Sequence, residues 1–201
     1  MQKPSSEQGA EREGLRARKR RQTRQRIIEA GLRLFMANGY EATTLDDIAE
    51  AADISRRTYF SYFASKDDLL LAWQDGAIDD LRAALVESAP GRTPLDAARA
   101  ALSAVIGRYE TADFIAVDDL MRSTEILRDR KQGSYERQER ALLAAMVEVW
   151  PQEDRRSGLR VTAMVAIGAL RLAFETWRED GRVRPIGQYL DAAFEALKAE
   201  V

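Results

Sequence analysis

The stretch TTLDDIAEAADISRRTYFSYFASK, which runs from Thr43 to Lys66, decides the fold of the first part of the chain. Thr44 is a good N-cap residue, and Asp47 follows it near the positive end of the helix that Thr44 would open. The apolar residues after Thr44 recur at the spacing of one helical face. The first half of the stretch therefore predicts a short amphipathic helix.

The second half of the stretch predicts another short helix after a tight turn. Asp53 can take the positive-φ conformation that ends a helix, where glycine is more usual. Ser55 then caps the next helix, in which Tyr59 and Phe63 form an inward i, i+4 pair. The residues left near the outer face are Arg56, Arg57, Phe60 and Tyr62. Two such helices, with cations on the outer face of the second, are typical of a helix-turn-helix that reads DNA.

Surface arginines on an amphipathic helix can also form only a solvated face, so the preceding segment matters. Residues 12–26, REGLRARKRRQTRQR, hold eight basic residues and one acidic residue, a net charge of +7. Such a run suits a partly disordered arm along DNA phosphates or in a minor groove, although a solubility tail or an expression remnant would look similar. We predict a flexible basic arm over residues 1–17. The candidate DNA contacts that follow it are Arg18, Lys19, Arg20 and Arg21.

Composition restricts what the 201-residue chain can do. It has 45% apolar residues, 12 Gly and 5 Pro, which favours a helix-rich protein with a buried core. It has no Cys and no His, which excludes disulfides and thiolate metal sites and removes the usual general base. We predict no enzyme activity, no catalytic residue, no metal site and no cofactor. Because no apolar run of about 18 residues and no signal core occur, we expect a cytoplasmic protein with no membrane partner.

Charge is distributed unevenly along the chain. Residues 16–66 have a net charge of +5, whereas residues 67–201 have a net charge of −6. A basic head on an acidic body fits a protein that touches nucleic acid with one end only.

After Lys66 the sequence has helical periodicity and no convincing strand pattern, so we predict an all-α fold. Pro94 suits the first turn of a helix, and Pro151 would stop one. The predicted helices span 66–87, 94–109, 113–122, 125–150 and 160–177, with a last helix opened by Pro185.

The segment VTAMVAIGALRLAFETW, residues 161–177, is apolar over most of its circumference. A helix of this kind must be buried on several sides, either within one subunit or at an association surface. The neighbouring pair Asp118 and Asp119 invites a metal ion. Adjacent residues on a helix point about 100° apart, however, so we reject a metal site.

Several large and adaptable side chains could line a ligand cavity in the helical body. Pockets in helical bundles are mostly apolar with a few polar anchors, although ordinary core packing is the alternative for each residue. The candidate lining residues are Trp73, Tyr109, Phe114, Met121, Met146, Trp150, Met164, Ile167 and Phe174. The candidate polar anchors are Arg108, Asp118, Asp119 and Arg171.

Three segments of the chain resemble the TetR family of bacterial transcriptional regulators. They are RIIEAGLRLFMANGY from Arg26 to Tyr40, TTLDDIAEAADIS, and SRRTYFSYFASKDDLL from Ser55 to Leu70. The resemblance implies a three-helix DNA-binding head over residues 18–66 and a larger helical ligand-binding and dimerisation domain over residues 67–201. It also implies a homodimeric repressor that a small-molecule effector releases from a palindromic operator on double-stranded DNA.

The resemblance also implies DNA contacts for particular residues. It assigns Thr44 to a phosphate, Arg56, Arg57 and Thr58 to the major groove, and Tyr62 and Lys66 to the backbone, with Ser55 and Phe60 as further candidates. The family often has Gly where this chain has Asp53, and Tyr where it has Phe60. Phe60 lacks a hydroxyl for a phosphate but could touch a thymine methyl, a contact that the major groove offers.

For the body, the resemblance implies that the last two helices pair with their copies in a four-helix dimer interface. The expected interface residues are Ala163, Ala166, Ala169, Ala173, Trp177, Leu190, Phe194 and Leu197. Twofold symmetry would then place the two reading helices about 34 Å apart. The segments ADFIAVDDLMRSTEILRDRKQ and ALRLAFETWREDG also resemble a TetR subgroup that includes the mycofactocin-system regulator. That likeness implies a hydrophobic or acyl-CoA-like effector.

Three other functions compete with the repressor. They are a transcriptional activator of the same fold, a helical protein-interaction module without specific DNA binding, and a helical enzyme. The sequence offers the enzyme no Gly-rich phosphate loop and no Ser nucleophile in a recognisable setting. Salt-dependent DNA binding that resists competitor DNA would separate a regulator from the interaction module and the enzyme.

Overall fold

The computed structural model describes residues 6–109, 112–123 and 125–200. Side chains are described from residue 15 onward, except those at positions 74, 75, 77, 109, 112 to 114, 126 and 130. All regular structure in these ranges is helical, and they contain no strand. The predicted all-α fold is confirmed.

The chain divides into two compact units, Met1–Trp73 and Gln74–Val201. The first unit contains α1 (Ser6–Asn38), α2 (Leu45–Ala51), α3 (Arg56–Phe60) and the first turns of α4 (Lys66–Ser88). The division therefore falls within α4, whereas the sequence predicted a boundary at the start of that helix.

The core of the first unit joins α1 to α2, α3 and the start of α4. Its most buried side chains are Ile27, Ile28, Phe35, Ile48, Tyr59, Leu69 and Leu70. Gly31 permits a close approach between two of these helices, because a Cβ built at Gly31 would lie 2.5 Å from Leu69 Cδ1. Any larger residue there would have to displace the buried leucine side chain.

The predicted flexible arm is wrong for residues 6–17, which belong to α1. The basic run consists largely of Arg, Lys, Gln and Ala, which are good helix formers, and no proline interrupts α1. Residues 1–5 of the predicted arm lie outside the described part of the chain. The positive charges therefore lie along a helix.

The second unit contains the rest of α4 and the helices that follow it. These are α5 (Pro94–Tyr109), α6 (Ala112–Leu120), α7 (Glu125–Val149), α8 (Arg156–Glu179) and α9 (Ile186–Glu200), with a 3-10 turn (Glu153–Arg155) before α8. The helix α8 is central, because it packs against α5, α7 and α9. It begins earlier than predicted, at Arg156 rather than Arg160.

The structure corrects the predicted dimer-interface residues. Seven of them are buried within the single chain: Ala163, Ala166, Ala169, Ala173, Trp177, Leu190 and Phe194. Leu197 is partly buried. The small residues of α8 therefore face the core of their own unit, where they allow neighbouring helices to approach closely.

The opposite face of α8 exposes a different set of apolar side chains. Val161, Met164 and Leu172 are 58%, 50% and 50% exposed, and Gly168 lies between them on the same face. We call these four residues the α8 outer stripe. By length and composition alone, the segment Glu153–Glu179 could also cross a membrane. Nine side chains of α8 are buried within the protein, which is the arrangement of a core helix.

Candidate nucleic-acid interface and ligand cavity

A capping box fixes the start of α2. The backbone N–H of Asp47 donates to Thr44 Oγ1 at 3.2 Å, and the backbone N–H of Thr44 donates to Asp47 Oδ2 at 2.8 Å. The Thr44 hydroxyl also donates to Asp47 Oδ2 at 2.7 Å. These hydrogen bonds from Thr44 lower the pKa of Asp47, so the carboxylate stays charged at the positive end of α2.

The turn between α2 and α3 has the predicted left-handed residue. Asp53 has a φ of 51°. Its N–H donates to Glu50 O at 2.9 Å, and the N–H of Ile54 donates to Ala49 O at 3.0 Å. The backbone therefore leaves α2 through a hydrogen-bonded turn, and the predicted role of Asp53 is confirmed.

Hydrogen bonds at Ser55 fix the start of α3. The backbone N–H of Thr58 donates to Ser55 Oγ at 3.1 Å, as predicted for an N-cap. The two hydroxyl oxygens of Ser55 and Thr58 are 2.8 Å apart and share a hydrogen bond. Both side chains lie at the exposed end of α3, where each hydroxyl keeps a second lone pair or proton for an incoming group.

Tyr59 anchors α3 to the rest of the first unit. Its side chain is fully buried, its hydroxyl donates to Ser65 O at 2.9 Å, and its ring lies 5.8 Å from the ring of Phe63. Burial raises the pKa of Tyr59 far above its ordinary value, with Asp68 adding to the shift, so the hydroxyl remains a donor. The predicted inward pair of Tyr59 and Phe63 is confirmed.

With Tyr59 directed inward, α3 presents arginines and an aromatic ring on its outer face. Arg56 and Arg57 are exposed, and Phe60 is 47% exposed. The guanidinium carbon of Arg56 lies 5.8 Å from the centre of the Phe60 ring, and its Nη1 donates to Asp46 Oδ2 at 2.7 Å. The outer face of α3 thus offers guanidinium donors and an apolar ring side by side.

Lys66 does not take the predicted position of a phosphate contact. Its Nζ donates to Tyr40 O at 2.7 Å and to Thr43 O at 3.4 Å, and it lies 4.2 Å from the centre of the Tyr40 ring. The ammonium group therefore holds the loop between α1 and α2. Loop carbonyls that need a donor are not visible in a local sequence pattern, which is why the sequence did not reveal this role.

The basic residues of α1 lie beside the helix-turn-helix. Arg18, Lys19, Arg20 and Arg21 are exposed. The guanidinium of Arg20 lies over the ring of the partly exposed Tyr62 at 5.5 Å, and that of Arg24 lies over Phe63 at 5.4 Å. Arg24 was not among the predicted contacts, although it follows Arg20 at i, i+4 on one face of α1.

The second unit contains a cavity of about 350 Å³. It lies between the turn after α6, one face of α7 and one face of α8. The lining residues are Arg122, Arg128, Lys131, Gln132, Tyr135, Arg171, Glu175 and Arg178. The cavity is therefore walled mainly by cations.

A buried carboxylate lies next to the cavity. Asp118 is 4% exposed and forms ion pairs with Lys131 and with Arg178, the latter at 3.4 Å, while Arg182 lies 3.9 Å away. Asp119 is exposed, accepts from Arg182 at 2.9 Å, and has its pKa lowered by that hydrogen bond. This network ties α6 to α7 and to the end of α8.

Comparisons with known proteins agree with the geometry of the first unit. Residues 27–73 match the pattern of bacterial regulatory proteins, tetR family. The chain is 34% identical to the HTH-type transcriptional regulator TcmR of Streptomyces glaucescens, over 98% of this chain and 92% of TcmR. The chain belongs to the TetR family. As a TetR-family transcriptional regulator it is a DNA-binding protein and not an enzyme.

Two further proteins place this TetR-family chain among its relatives. It is 32% identical to a protein named as a mycofactocin biosynthesis transcriptional regulator, MftR of Mycobacterium tuberculosis, over 90% of this chain and 92% of MftR. Its fold resembles FadR of Thermus thermophilus, a TetR-family repressor solved in complex with lauroyl-CoA. That likeness has a TM-score of 0.59 and 22% identity over 87% of this chain and 92% of FadR, and it shows the fold alone.

The predicted ligand-pocket residues are mostly elsewhere. Met146, Ile167 and Phe174 belong to the core of the second unit, Met121 is buried, Trp150 packs against that core, and Met164 is exposed. Trp73 belongs to the first unit, and the side chains of Tyr109 and Phe114 lie outside the described part of the chain. Of the predicted lining residues and anchors, Arg171 lines the cavity, whereas Arg108 is exposed and lies 4.0 Å from Asp80. None of the predicted apolar lining residues whose side chains are described lines this cavity.

Proposed function

We propose that this TetR-family regulator is a homodimeric repressor that binds a palindromic operator and is released by a small-molecule effector. The observation that carries the proposal is the outer face of α3. Its exposed arginines and Phe60 are held outward because Tyr59 anchors the opposite face in the core. A rigid helix with this surface can enter a major groove.

We assign base recognition to the outer face of α3. An arginine fork can donate to O6 and N7 of one guanine, and an exposed aromatic ring can touch a thymine methyl. These contacts suit Arg56, Arg57 and Phe60. Thr58 would face the groove beside them. The hydroxyls of Ser55 and Tyr62 would donate to phosphates at the rim of the groove, and the Thr44 hydroxyl would do so by exchanging its hydrogen bond to Asp47.

The exposed basic residues of α1 would add sequence-independent affinity. Arg18, Lys19, Arg20 and Arg21 carry four positive charges on about one turn of helix. Each phosphate that such a cation neutralises releases a counterion, so the contribution falls as salt rises. These cations would then contact phosphates from a helix rather than from a flexible arm.

We propose that the α8 outer stripe forms the centre of the dimer interface. Val161, Met164 and Leu172 recur at the spacing of one helical face, and Gly168 between them allows a second helix to approach closely. A second copy of the chain would cover the stripe with the same stripe, as twofold symmetry requires. The reading helices would then fit half-sites about one DNA turn apart.

Effector binding would act by shifting a population between two arrangements of the dimer. One arrangement fits the operator spacing, and a ligand releases the protein only if it binds the other arrangement more tightly. Such a regulator would work in the bacterial cytoplasm and would lie at the nucleoid when bound to its operator. The lauroyl-CoA in the structure of FadR supports an acyl-CoA-like effector for this fold.

Selection from a pool of randomised duplexes in about 0.15 M salt tests the proposal. Enrichment of a palindrome with half-sites about one turn apart is the expected result. A single unpaired half-site would contradict the dimer. The absence of any enriched sequence from folded protein would contradict specific DNA recognition.

A further inference from the structure

We propose that the cavity between the turn after α6, α7 and α8 binds the phosphate group of an organic phosphate ester or diphosphate. This inference rests on the proposed function, because it names the chemical class of the effector. The charges around the cavity favour such a group, whereas the sequence predicted a hydrophobic pocket.

The cavity has a large excess of positive charge. Five of its lining side chains are cations, namely Arg122, Arg128, Lys131, Arg171 and Arg178, and one, Glu175, is an anion. Counting the buried carboxylate of Asp118 beside the cavity still leaves an excess of three positive charges. Cations brought together in this way repel one another unless an anion lies between them.

The cations converge because each helix contributes one face. On α7, Arg128, Lys131 and Tyr135 are spaced by three and four residues, and on α8, Arg171, Glu175 and Arg178 are spaced in the same way. Two facing stripes with guanidinium forks and an ammonium group suit the several oxygens of a phosphate. The volume of about 350 Å³ falls within the range of about 300–1,000 Å³ usual for small-molecule sites.

Ion pairs hold two of the cations in position. Asp118 binds Lys131 and Arg178, whose side chains are 16% and 13% exposed. Burial is the main cause that lowers the pKa of Lys131, so an anion in the cavity would stabilise its charged form. Burial also raises the pKa of Tyr135 to about 12, which keeps its hydroxyl a donor at neutral pH.

Two other cations remain available to a ligand. Arg122 and Arg128 are exposed, and no acidic group of the described residues lies within 4.0 Å of either guanidinium. Arg128 donates from Nη1 to the backbone oxygen of Arg122 at 3.0 Å, which keeps the two residues together. A neutral apolar ligand would remove water from these guanidinium groups without replacing its hydrogen bonds, and that is costly. The lining therefore favours an anionic group.

Calorimetric titration of the full chain with inorganic pyrophosphate, in the absence of DNA, tests the site. The double variant Arg122→Gln/Arg128→Gln should weaken binding at least about tenfold, because charge-assisted hydrogen bonds are lost. Arg140→Gln is the matched control, since Arg140 is an exposed arginine on α7 that does not line the cavity. The control should bind pyrophosphate like the wild type. Because all three proteins keep the basic run of α1, binding to that run cannot explain a difference between them.

Three results would overturn the inference. They are no binding to the wild type, equal binding by the double variant, and tighter binding of the carboxylate probe citrate than of pyrophosphate. The titration contains no DNA, whereas operator selection contains no pyrophosphate. If the protein selects an operator but does not bind pyrophosphate, the phosphate site is refuted and the proposed regulator function stands. If it binds pyrophosphate but selects no operator, only the proposed regulator function is refuted.

Discussion

Arg56 on α3 donates a hydrogen bond from Nη1 to Asp46 Oδ2 on α2 over 2.7 Å. Both side chains are more than half exposed, so the pair orients the guanidinium without burying it. Exposed ion pairs are worth about 0–1 kcal/mol, and a guanine edge or a phosphate could therefore displace the carboxylate at little cost. The carboxylate of Asp46 on α2 thus limits how strongly α3 attracts DNA of any sequence.

Asp46→Asn should raise the affinity for DNA severalfold, and by a similar factor for operator and scrambled duplexes. The change removes a negative charge beside cations that face phosphates, which is a sequence-independent effect. Fluorescence anisotropy with both duplexes at one salt concentration measures it. Glu87→Gln, an exposed carboxylate in the second unit, serves as the control. A loss of operator affinity alone would mean that Asp46 orients Arg56 for base recognition.

Lys66→Ala should destabilise the protein by about 1–3 kcal/mol, because the α1–α2 loop loses a charged donor to the carbonyls of Tyr40 and Thr43. Urea unfolding measures the change. Lys19→Ala removes an exposed lysine of α1 and should leave the free energy of unfolding within about 0.5 kcal/mol of the wild type. A Lys66→Ala protein that is fully stable but weakened in DNA binding would restore the phosphate role predicted from the sequence.

Asp118→Asn should cost about 3 kcal/mol of stability, because it leaves the mostly buried cations Lys131 and Arg178 without their shared carboxylate. The neighbouring substitution Asp119→Asn is the matched control. Asp119 is 56% exposed in its pair with Arg182, and its loss should cost less than about 1 kcal/mol. Equal destabilisation by both variants in thermal or urea unfolding would contradict the structural importance of the buried network.

Local chemistry explains which parts of the fold could be predicted from the sequence. The N-caps Thr44 and Ser55, the turn at Asp53 and the inward Tyr59 depend on residues within one or two turns of each other. The role of Lys66 depends on carbonyls more than 20 residues away in the chain. No local pattern contains that information.

The errors in the second unit have a related cause. A helix that is apolar nearly all round, such as α8, does not reveal which face packs inside its own subunit. Small alanines suit the tight interior, and the larger Met164 and Leu172 remain outside. For the cavity, large apolar side chains indicated only core packing. The informative signal was the pair of cationic stripes on α7 and α8, which becomes visible only once the two helices are known to be neighbours.

The double variant Met164→Glu/Leu172→Glu should convert the proposed dimer to a monomer at micromolar concentration. Two carboxylates on each copy would face their symmetry mates in the centre of the interface, where desolvation and repulsion oppose association. Sedimentation velocity measures the mass. Val183→Glu is the control, since Val183 is an exposed apolar residue beyond the end of α8. If the double variant is folded and remains dimeric, the α8 outer stripe is not the interface.

Comparing the affinities of the Arg57→Ala protein for operator and for scrambled duplex tests whether the outer face of α3 reads DNA sequence. We predict that the difference between the two binding free energies falls by about 1–3 kcal/mol per half-site, while the affinity for scrambled duplex changes much less. Arg160→Ala, an exposed arginine on α8, should leave that difference unchanged. Base recognition by this face would be contradicted if the Arg57→Ala and Arg56→Ala proteins were both folded and both kept the wild-type ratio of operator to scrambled-duplex affinity.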